Sequence, residues 1–135
     1  MKVVFDANIL VSAIALQGGR AEAAMFAATD GNVELVISRA IINETLNVLA
    51  RKFGRDQEEL ARVALFLAEL GRLVTPRVRL KVLSDEPDNR ILECALTGHA
   101  QVIVTGDQAM LRLGEHKGMR IITLKAFLDS LESRA

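Results

Sequence analysis

Four carboxylic acids in this sequence stand where they can share one task. Asp6 ends the apolar run Val3-Val4-Phe5, and Asp107 follows Val102-Ile103-Val104 by way of Thr105-Gly106. Glu44 lies about two turns into a helical stretch that begins after Ser38, and Asp88 stands at the head of another. Gathered in one small pocket, such anions repel one another, and burial forces protons onto some of them. A hard divalent cation removes the conflict, because Mg²⁺ or Mn²⁺ takes carboxylate oxygens and keeps several of its waters. A cation held this way can acidify a bound water and stabilise negative charge that develops beside it. With two histidines and one cysteine, a zinc site has little support.

Each acid also has a plainer explanation. Asp6 and Asp107 can cap the helices that follow them through a side-chain oxygen. Asp88 suits a first helical turn through the macrodipole. Glu44 can be a solvated helix residue, yet it shares a face with Ile41 and Val48, which turns it toward the sheet, and an inward acid without a partner is unusual. Asp85 and Glu86 compete with Asp88. Asp88 is preferred because Ile91, Leu92, Ala95 and Leu96 place it on or beside the buried side of its helix. Asp30, Asp56 and Asp129 fall in turns or exposed helix and read as solvated.

The elements that must position these acids alternate between strand and helix. Val3-Val4-Phe5 is a continuous apolar run without alternation, as suits a strand covered on both faces of a parallel sheet. An acid at its carboxyl end sits where open α/β sheets place their sites. Helical stretches follow from Leu10 to Leu16, broken by Gly18-Gly19, and from Ala21 to Thr29. The second strand is Val33 to Ile37. A helix from Arg39 to Phe53 has Ile41, Ile42, Leu46, Leu49 and Phe53 at helical spacing, and another runs from Asp56 to Leu70. Leu73–Thr75 and Val78–Val82 offer the third strand, which Pro76 sends to a sheet edge. A loop from Ser84 leads into a helix of about Asn89 to Thr97. Gln101–Val104 is the fourth strand, Gln108–Leu113 a short helix, Arg120–Thr123 the fifth strand and Leu124–Leu131 a closing helix. The expectation is one α/β domain over residues 1–135 with a mainly parallel, five-stranded sheet. The acids converge only if the first and fourth strands are neighbours.

Composition narrows the classes. Seventeen basic residues balance seventeen acidic ones, so a bulk polycation for non-specific nucleic-acid binding is excluded, while a local basic rim is not. The chain has no tryptophan or tyrosine, which argues against an aromatic platform for stacked bases. Cys94 is alone, lies in an apolar helical stretch and reads as a small core residue, consistent with a reducing cytoplasm. Met1-Lys2 leads straight into a strand without a leader, and Ile9–Leu16 is too short to span a bilayer, so no membrane partner is expected. The helix pair Arg39–Leu70 carries more apolar positions than one buried face needs, which points to a homodimer.

Taken in order, Val4-Phe5-Asp6-Ala7-Asn8-Ile9-Leu10, Ser38 with Glu44 six residues on, Asp85-Glu86-Pro87-Asp88-Asn89-Arg90-Ile91-Leu92-Glu93-Cys94-Ala95 and Val104-Thr105-Gly106-Asp107 form a fairly specific set. In these pieces, across nearly its whole length, the chain resembles the PIN-domain nucleases. The resemblance is closest to the bacterial and archaeal branch that supplies the toxins of VapBC-type toxin–antitoxin pairs. It implies a three-layer α/β/α fold and a metal-binding acidic quartet, Asp6, Glu44, Asp88 and Asp107, supported by Asn8, Ser38 and Thr105. It further implies Mg²⁺- or Mn²⁺-dependent hydrolysis of single-stranded RNA, frequent homodimers and an antitoxin partner. Asp6 would be the central ligand, flanked by Asp88 and Asp107, with Glu44 a ligand or a water-orienting residue. Arg39, Arg90 and Arg112 adjoin the acids and are candidates for holding RNA phosphates.

Three rival classes use the same scaffold. A receiver-like phosphoacceptor domain would use Thr105 and Lys125, but it needs an adjacent acidic pair after the first strand and a lone aspartate after the third, and neither is present. A phosphatase of the haloacid dehalogenase type needs an acid two residues after Asp6, where Asn8 stands. A non-catalytic binding module on the PIN fold is the third class, and activity alone separates it.

Overall fold

The computed structural model describes residues 1–134. The order of elements is β1 (Lys2–Phe5), α1 (Ala7–Ala15), α2 (Arg20–Thr29), β2 (Glu34–Ser38), α3 (Arg39–Phe53), α4 (Gln57–Leu70), β3 (Arg72–Val74), α5 (Glu86–Thr97), β4 (Val102–Val104), α6 (Gln108–Leu113), β5 (Glu115–His116), β6 (Met119–Ile122) and α7 (Leu124–Arg134). The strands form a single sheet in the order β3-β2-β1-β4-β6-β5, with β3 on the edge that Pro76 implied. Every pairing is parallel except β5 with β6. The sheet therefore has six strands rather than five. The extra one is half of a tight hairpin turned by Lys117 and Gly118, both at positive φ (49° and 84°). Gly118 takes that conformation without strain, and the two residues together give the turn that the twist of a short hairpin needs.

Helices cover both faces of the sheet. Val36 and Ile37 are successive residues of β2 and so point to opposite faces. A Cβ on Gly98, just past α5, would lie 2.3 Å from Val36 Cγ1, and one on Gly71, just past α4, would lie 2.7 Å from Ile37 Cγ2. Thus α4 and α5 close onto the same strand from opposite sides, and each closure requires glycine at the point of contact. Val3, Val4, Leu35, Val36, Ile37, Ile103 and Val104 are buried at the centre of the sheet, as unalternating apolar strands require. Phe127 of α7 packs edge-on against Phe5, with ring centroids 5.5 Å apart.

The third strand is shorter than its apolar residues suggested. Only Arg72–Val74 pairs with β2, and Val78–Val82 lies in an irregular strap between β3 and α5. Several of the strap's backbone polar groups are taken by side chains of α5 instead of by a neighbouring strand. Glu93 Oε2 accepts the Leu80 amide at 2.8 Å, Asn89 Oδ1 accepts those of Val82 and Leu83 at 3.0 and 2.9 Å, and Asn89 Nδ2 donates to the Leu83 carbonyl at 2.8 Å. Helix α5 itself begins at Glu86, three residues before the expected Asn89. Pro87 falls in its first turn, where a missing N–H costs nothing.

Candidate functional site

Strands β1 and β4 are neighbours, with Phe5 opposite Val104, so Asp6 and Asp107 leave the sheet side by side. Both are helix caps. Asp6 Oδ1 accepts the Ile9 amide at 3.0 Å, and Asp107 Oδ1 accepts the Met110 amide at 2.9 Å. The capping explanation and the site explanation are therefore compatible. A cap engages one oxygen and leaves the other free for a second task.

For Asp6, that second oxygen meets Thr105. Thr105 Oγ1 donates to Asp6 Oδ2 and accepts the Asp107 amide at 3.0 Å, tying the ends of β1 and β4 together. Burial pushes the Asp6 carboxyl above the usual carboxylate range, against the opposing pull of Thr105 and the Ile9 amide. Asp88, in the first turn of α5, is pushed up to about 7, first by burial and then by the negative charges of Asp107, Asp85 and Asp6. Asp88 is only 8 % exposed, and its Oδ2 has no hydrogen-bond partner. One carboxylate oxygen from each of Asp85, Asp88 and Asp107 lies within 4.8 Å of the others.

These groups line a cleft of about 450 Å³ at the carboxyl end of the sheet. Asp6, Asn8, Glu44, Asp85, Glu86, Asp88 and Asp107 all border it, and Arg79 and Arg90 are the only bases that do among the described residues. Glu44 is half-buried on α3, one turn beyond the buried Ile41. Six acids facing two arginines, a buried carboxylate oxygen without a donor and two carboxyls that burial pushes above the usual range fit one kind of group: a hard cation bound by oxygen. Among the described residues, no histidine or cysteine borders the cleft. Cys94 is fully buried in the core, and burial pushes its thiol up to about 12.

The family model of the PIN domain matches residues 2–109. The chain belongs to the PIN-domain family. Among relatives, an uncharacterised protein of Methanocaldococcus jannaschii, MJ1680, is 22 % identical over 144 aligned positions, covering 98 % of this chain and 92 % of its own. Three solved structures share the fold. The VapBC2 complex of Rickettsia felis, bound to a DNA fragment from its promoter, contains a chain that superposes with a TM-score of 0.63 at 14 % identity, covering 91 % of this chain and 98 % of that one. VapBC-1 of nontypeable Haemophilus influenzae gives 0.61 at 17 % identity, covering 93 % and 99 %. PAE2754 of Pyrobaculum aerophilum gives 0.61 at 19 % identity, covering 98 % and 99 %.

The PIN fold of this chain brings Asp6, Asn8, Glu44, Asp88, Arg90 and Asp107 to one cleft. Thr105 stands just behind it as the link between two of the acids. Ser38 does not border the acidic cleft. It caps α3 through the Ile41 amide at 3.3 Å and contributes to a second, adjoining cleft, as does Arg39. Arg112 is exposed on α6 and borders neither cleft. Lys125, which a receiver-like site would direct at the acids, pairs instead with Asp129 at 2.8 Å.

Three charged residues of the cleft, Asp85, Glu86 and Arg79, stand outside the set that the sequence singles out. Asp85 ranks behind Asp88 there because it precedes the helix, yet the early start of α5 carries both into the site. Arg79 lies in the segment whose residues read as a strand. The visible signal is Pro76, which already argues against an unbroken strand there.

Proposed function

We propose that this PIN domain is an Mg²⁺- or Mn²⁺-dependent endoribonuclease that hydrolyses phosphodiester bonds of single-stranded RNA, and that it is the toxin of a type II toxin–antitoxin pair. The observation that carries the reading is Asp88. A buried residue whose carboxylate has one unpartnered oxygen, crowded by Asp85 and Asp107, is costly in an isolated domain, and a cation bound beside it would relieve that cost. Bound there, the cation supplies an acidified water and charge for the oxyanions that develop at phosphorus.

The chain's own residues do the rest. Asp6, Asp88 and Asp107, with Asp85 beside them, offer the oxygens. Thr105 holds Asp6 in place, and the Met110 amide holds Asp107, so the ligands are oriented before a cation arrives. Glu44 faces the same cleft from α3 and is placed to accept a proton from an attacking water or to complete the ligand set.

The toxin assignment draws on the two VapBC complexes among the structures of like fold. It brings a cognate antitoxin as the protein partner. A homodimer belongs to the same reading, supported by the exposed Leu16, Phe26, Phe53, Leu65 and Phe66. Self-association is read from the outside of the α1–α4 face rather than from the cleft.

The test is cleavage of a single-stranded RNA with Mn²⁺, parent against Asp6→Asn. Loss of at least about a hundredfold is expected, the scale on which one preorganised electrostatic group counts. Asn at position 6 still caps α1, so the fold should survive. Equal cleavage by the two proteins would remove Asp6 from the mechanism, and no cleavage by the parent would favour a non-catalytic binding module.

A further inference from the structure

We propose that the cleft adjoining the acidic one is a phosphate subsite, which holds a phosphodiester of the RNA strand next to the bond being cut. The proposal rests on the ribonuclease reading and names how that site grips its substrate. The second cleft, of about 160 Å³, lies at the N-terminus of α3 and against the strap that follows β3. It shares Ala40, Arg79 and Arg90 with the acidic cleft, so a single strand can pass from one to the other along a common wall.

The charge of the second cleft is opposite to that of the first. Three arginines, Arg39, Arg79 and Arg90, face one acid, Glu93. Arg90 is committed: it pairs with Glu93 at 2.9 Å and Glu86 at 3.3 Å and donates to the Leu80 carbonyl at 3.2 Å. It is a fixed wall whose buried Nε still lacks an acceptor. The other two are held loosely or not at all. Arg39 makes no ion pair among the described residues, and the nearest carboxylate to Arg79 is Glu86, 4.0 Å away with both side chains exposed. Helix α3 adds to this. Ser38 satisfies the Ile41 amide, and the amides of Arg39 and Ala40 have no acceptor within the helix. A 15-residue helix thus presents its positive end and two spare donors to the same cleft.

The acidic cleft explains why such a subsite is needed. Without a cation it repels a polyanion, and with one its six acids still outweigh the two arginines and the ion together, so it cannot supply the affinity for RNA by itself. The chain carries no net charge to draw RNA from a distance. Grip must come from a local basic patch, and this one adjoins the acids directly. Its apolar wall, Val74 and Pro76, offers nothing that reads a base, so the subsite should hold phosphate without regard to sequence.

The experiment measures binding apart from cleavage. In the Asp6→Asn background, binding of a short fluorescent single-stranded RNA is followed against salt, with and without Arg39→Gln/Arg79→Gln. The double substitution should weaken binding about tenfold and reduce the slope of log K against log salt by roughly 0.7 for each phosphate it leaves unneutralised. Arg51→Gln, at the far end of α3, is the control and should change neither. In the catalytically intact chain, the double substitution should raise KM for a longer strand. Arg39→Gln alone, at a residue that borders the second cleft and not the acidic one, should spare a dinucleoside monophosphate, whose one phosphate occupies the acidic cleft. Unchanged affinity and slope in the double variant would overturn the subsite, whatever the cleavage assay gives. A parent that binds RNA through these arginines but never cleaves it would overturn the ribonuclease reading and keep the subsite.

Discussion

Helices α4 and α5 close onto β2 from opposite faces, and their burial is inverted. Of the 14 residues of α4, only Leu67 is buried, while Leu65 and Phe66 on the outer side are 60 % and 42 % exposed. In α5, 7 of 12 residues are buried, and three of those are Asp88, Asn89 and Glu93. One helix shows apolar groups to solvent, and the other draws polar groups inside. Buried polar groups are tolerated only when partnered, because each otherwise forfeits its hydration. Asn89 and Glu93 have partners in the strap, whereas Asp88 Oδ2 has none. The difference separates the parts of the molecule by role. The polar interior of α5 is construction around a site, and the apolar exterior of α4 is surface awaiting contact.

The largest effect on stability is expected where this polar construction is cut. Asn89→Ala removes the acceptor for two strap amides and the donor to one carbonyl. With partial rescue by water, the cost should be about 2–4 kcal/mol in chemical denaturation, since each stranded backbone group costs roughly 1–3 kcal/mol. The strap would loosen, and Arg79 and Asp85 with it, so cation affinity should fall as well. The matched change on α4, Phe66→Ser, should stay within about 0.5 kcal/mol for the monomer. Equal costs for the two would erase the contrast between the helices.

Next in size is the pH dependence carried by Asp88. Its carboxyl titrates near 7 in the folded chain and near the ordinary carboxylate value when unfolded. Between about pH 4 and 7 the folded state therefore holds a proton that the unfolded state has lost, and stability falls as pH rises through that window. Metal-free protein should be most stable toward the acid side of that window. Asp88→Asn should flatten the slope and raise the melting temperature at pH 8 without metal. Added Mn²⁺ should raise the parent's melting temperature more at pH 8 than at pH 5.5, because cation and proton compete for the same oxygens. A parent whose metal-free stability rises steadily from pH 4 to 7 would contradict the burial cost assigned to Asp88.

How much of this is legible in the sequence follows from what each signal depends on. Phe5-Asp6 and Val104-Thr105-Gly106-Asp107 are readable because an apolar strand running into an acid is a local pattern, and strand adjacency then joins the two. Glu44 is readable from its helical phase with Ile41 and Val48. The strap is not. Val78–Val82 has strand-like residues, but its amides are taken by Asn89 and Glu93, from seven to thirteen residues further along the chain, and no local pattern announces that competition. Asp85 ranks below Asp88 when helix phase is counted from Asn89, although Pro87 marks an earlier first turn. The short β5 escapes notice because two residues, Glu115 and His116, carry no periodicity to detect.

Asp85 gives the sharper test of the site end of the comparison. It is exposed, unlike Asp88, yet it contributes an oxygen to the same close cluster. If it is a ligand rather than a bystander, Asp85→Asn should lower Mn²⁺ affinity about tenfold, at the lower end of what even groups behind the ligands cost. It should leave the fold untouched. The readout is titration of free Mn²⁺ by its paramagnetic resonance signal, with Glu86→Gln as the neighbour that borders the cleft outside the close cluster. Indistinguishable affinities for the parent and Asp85→Asn would return Asp85 to the status of a solvated loop residue.

The smallest effect on stability is expected on the outer face of α4, where the consequence should be association instead. Leu65 and Phe66 are adjacent, exposed and apolar, on a helix that already buries Leu67 against the core. Replacing both by Ser removes apolar area from water-facing positions, so the isolated chain gains nothing from keeping them. Monomer stability should change by no more than about 0.5 kcal/mol. If this face carries the proposed homodimer, the parent should weigh as a dimer by light scattering at tens of micromolar, and Leu65→Ser/Phe66→Ser should weigh as a monomer. Both proteins would still cleave RNA at similar initial rates, because the cleft lies at the end of the sheet and draws all its acids from one chain. A parent that remains monomeric at high micromolar concentration would leave α4's apolar surface to a different protein partner. A double variant that stays dimeric would move the self-association surface elsewhere, to the exposed Leu16 and Phe26 beside α1 and on α2.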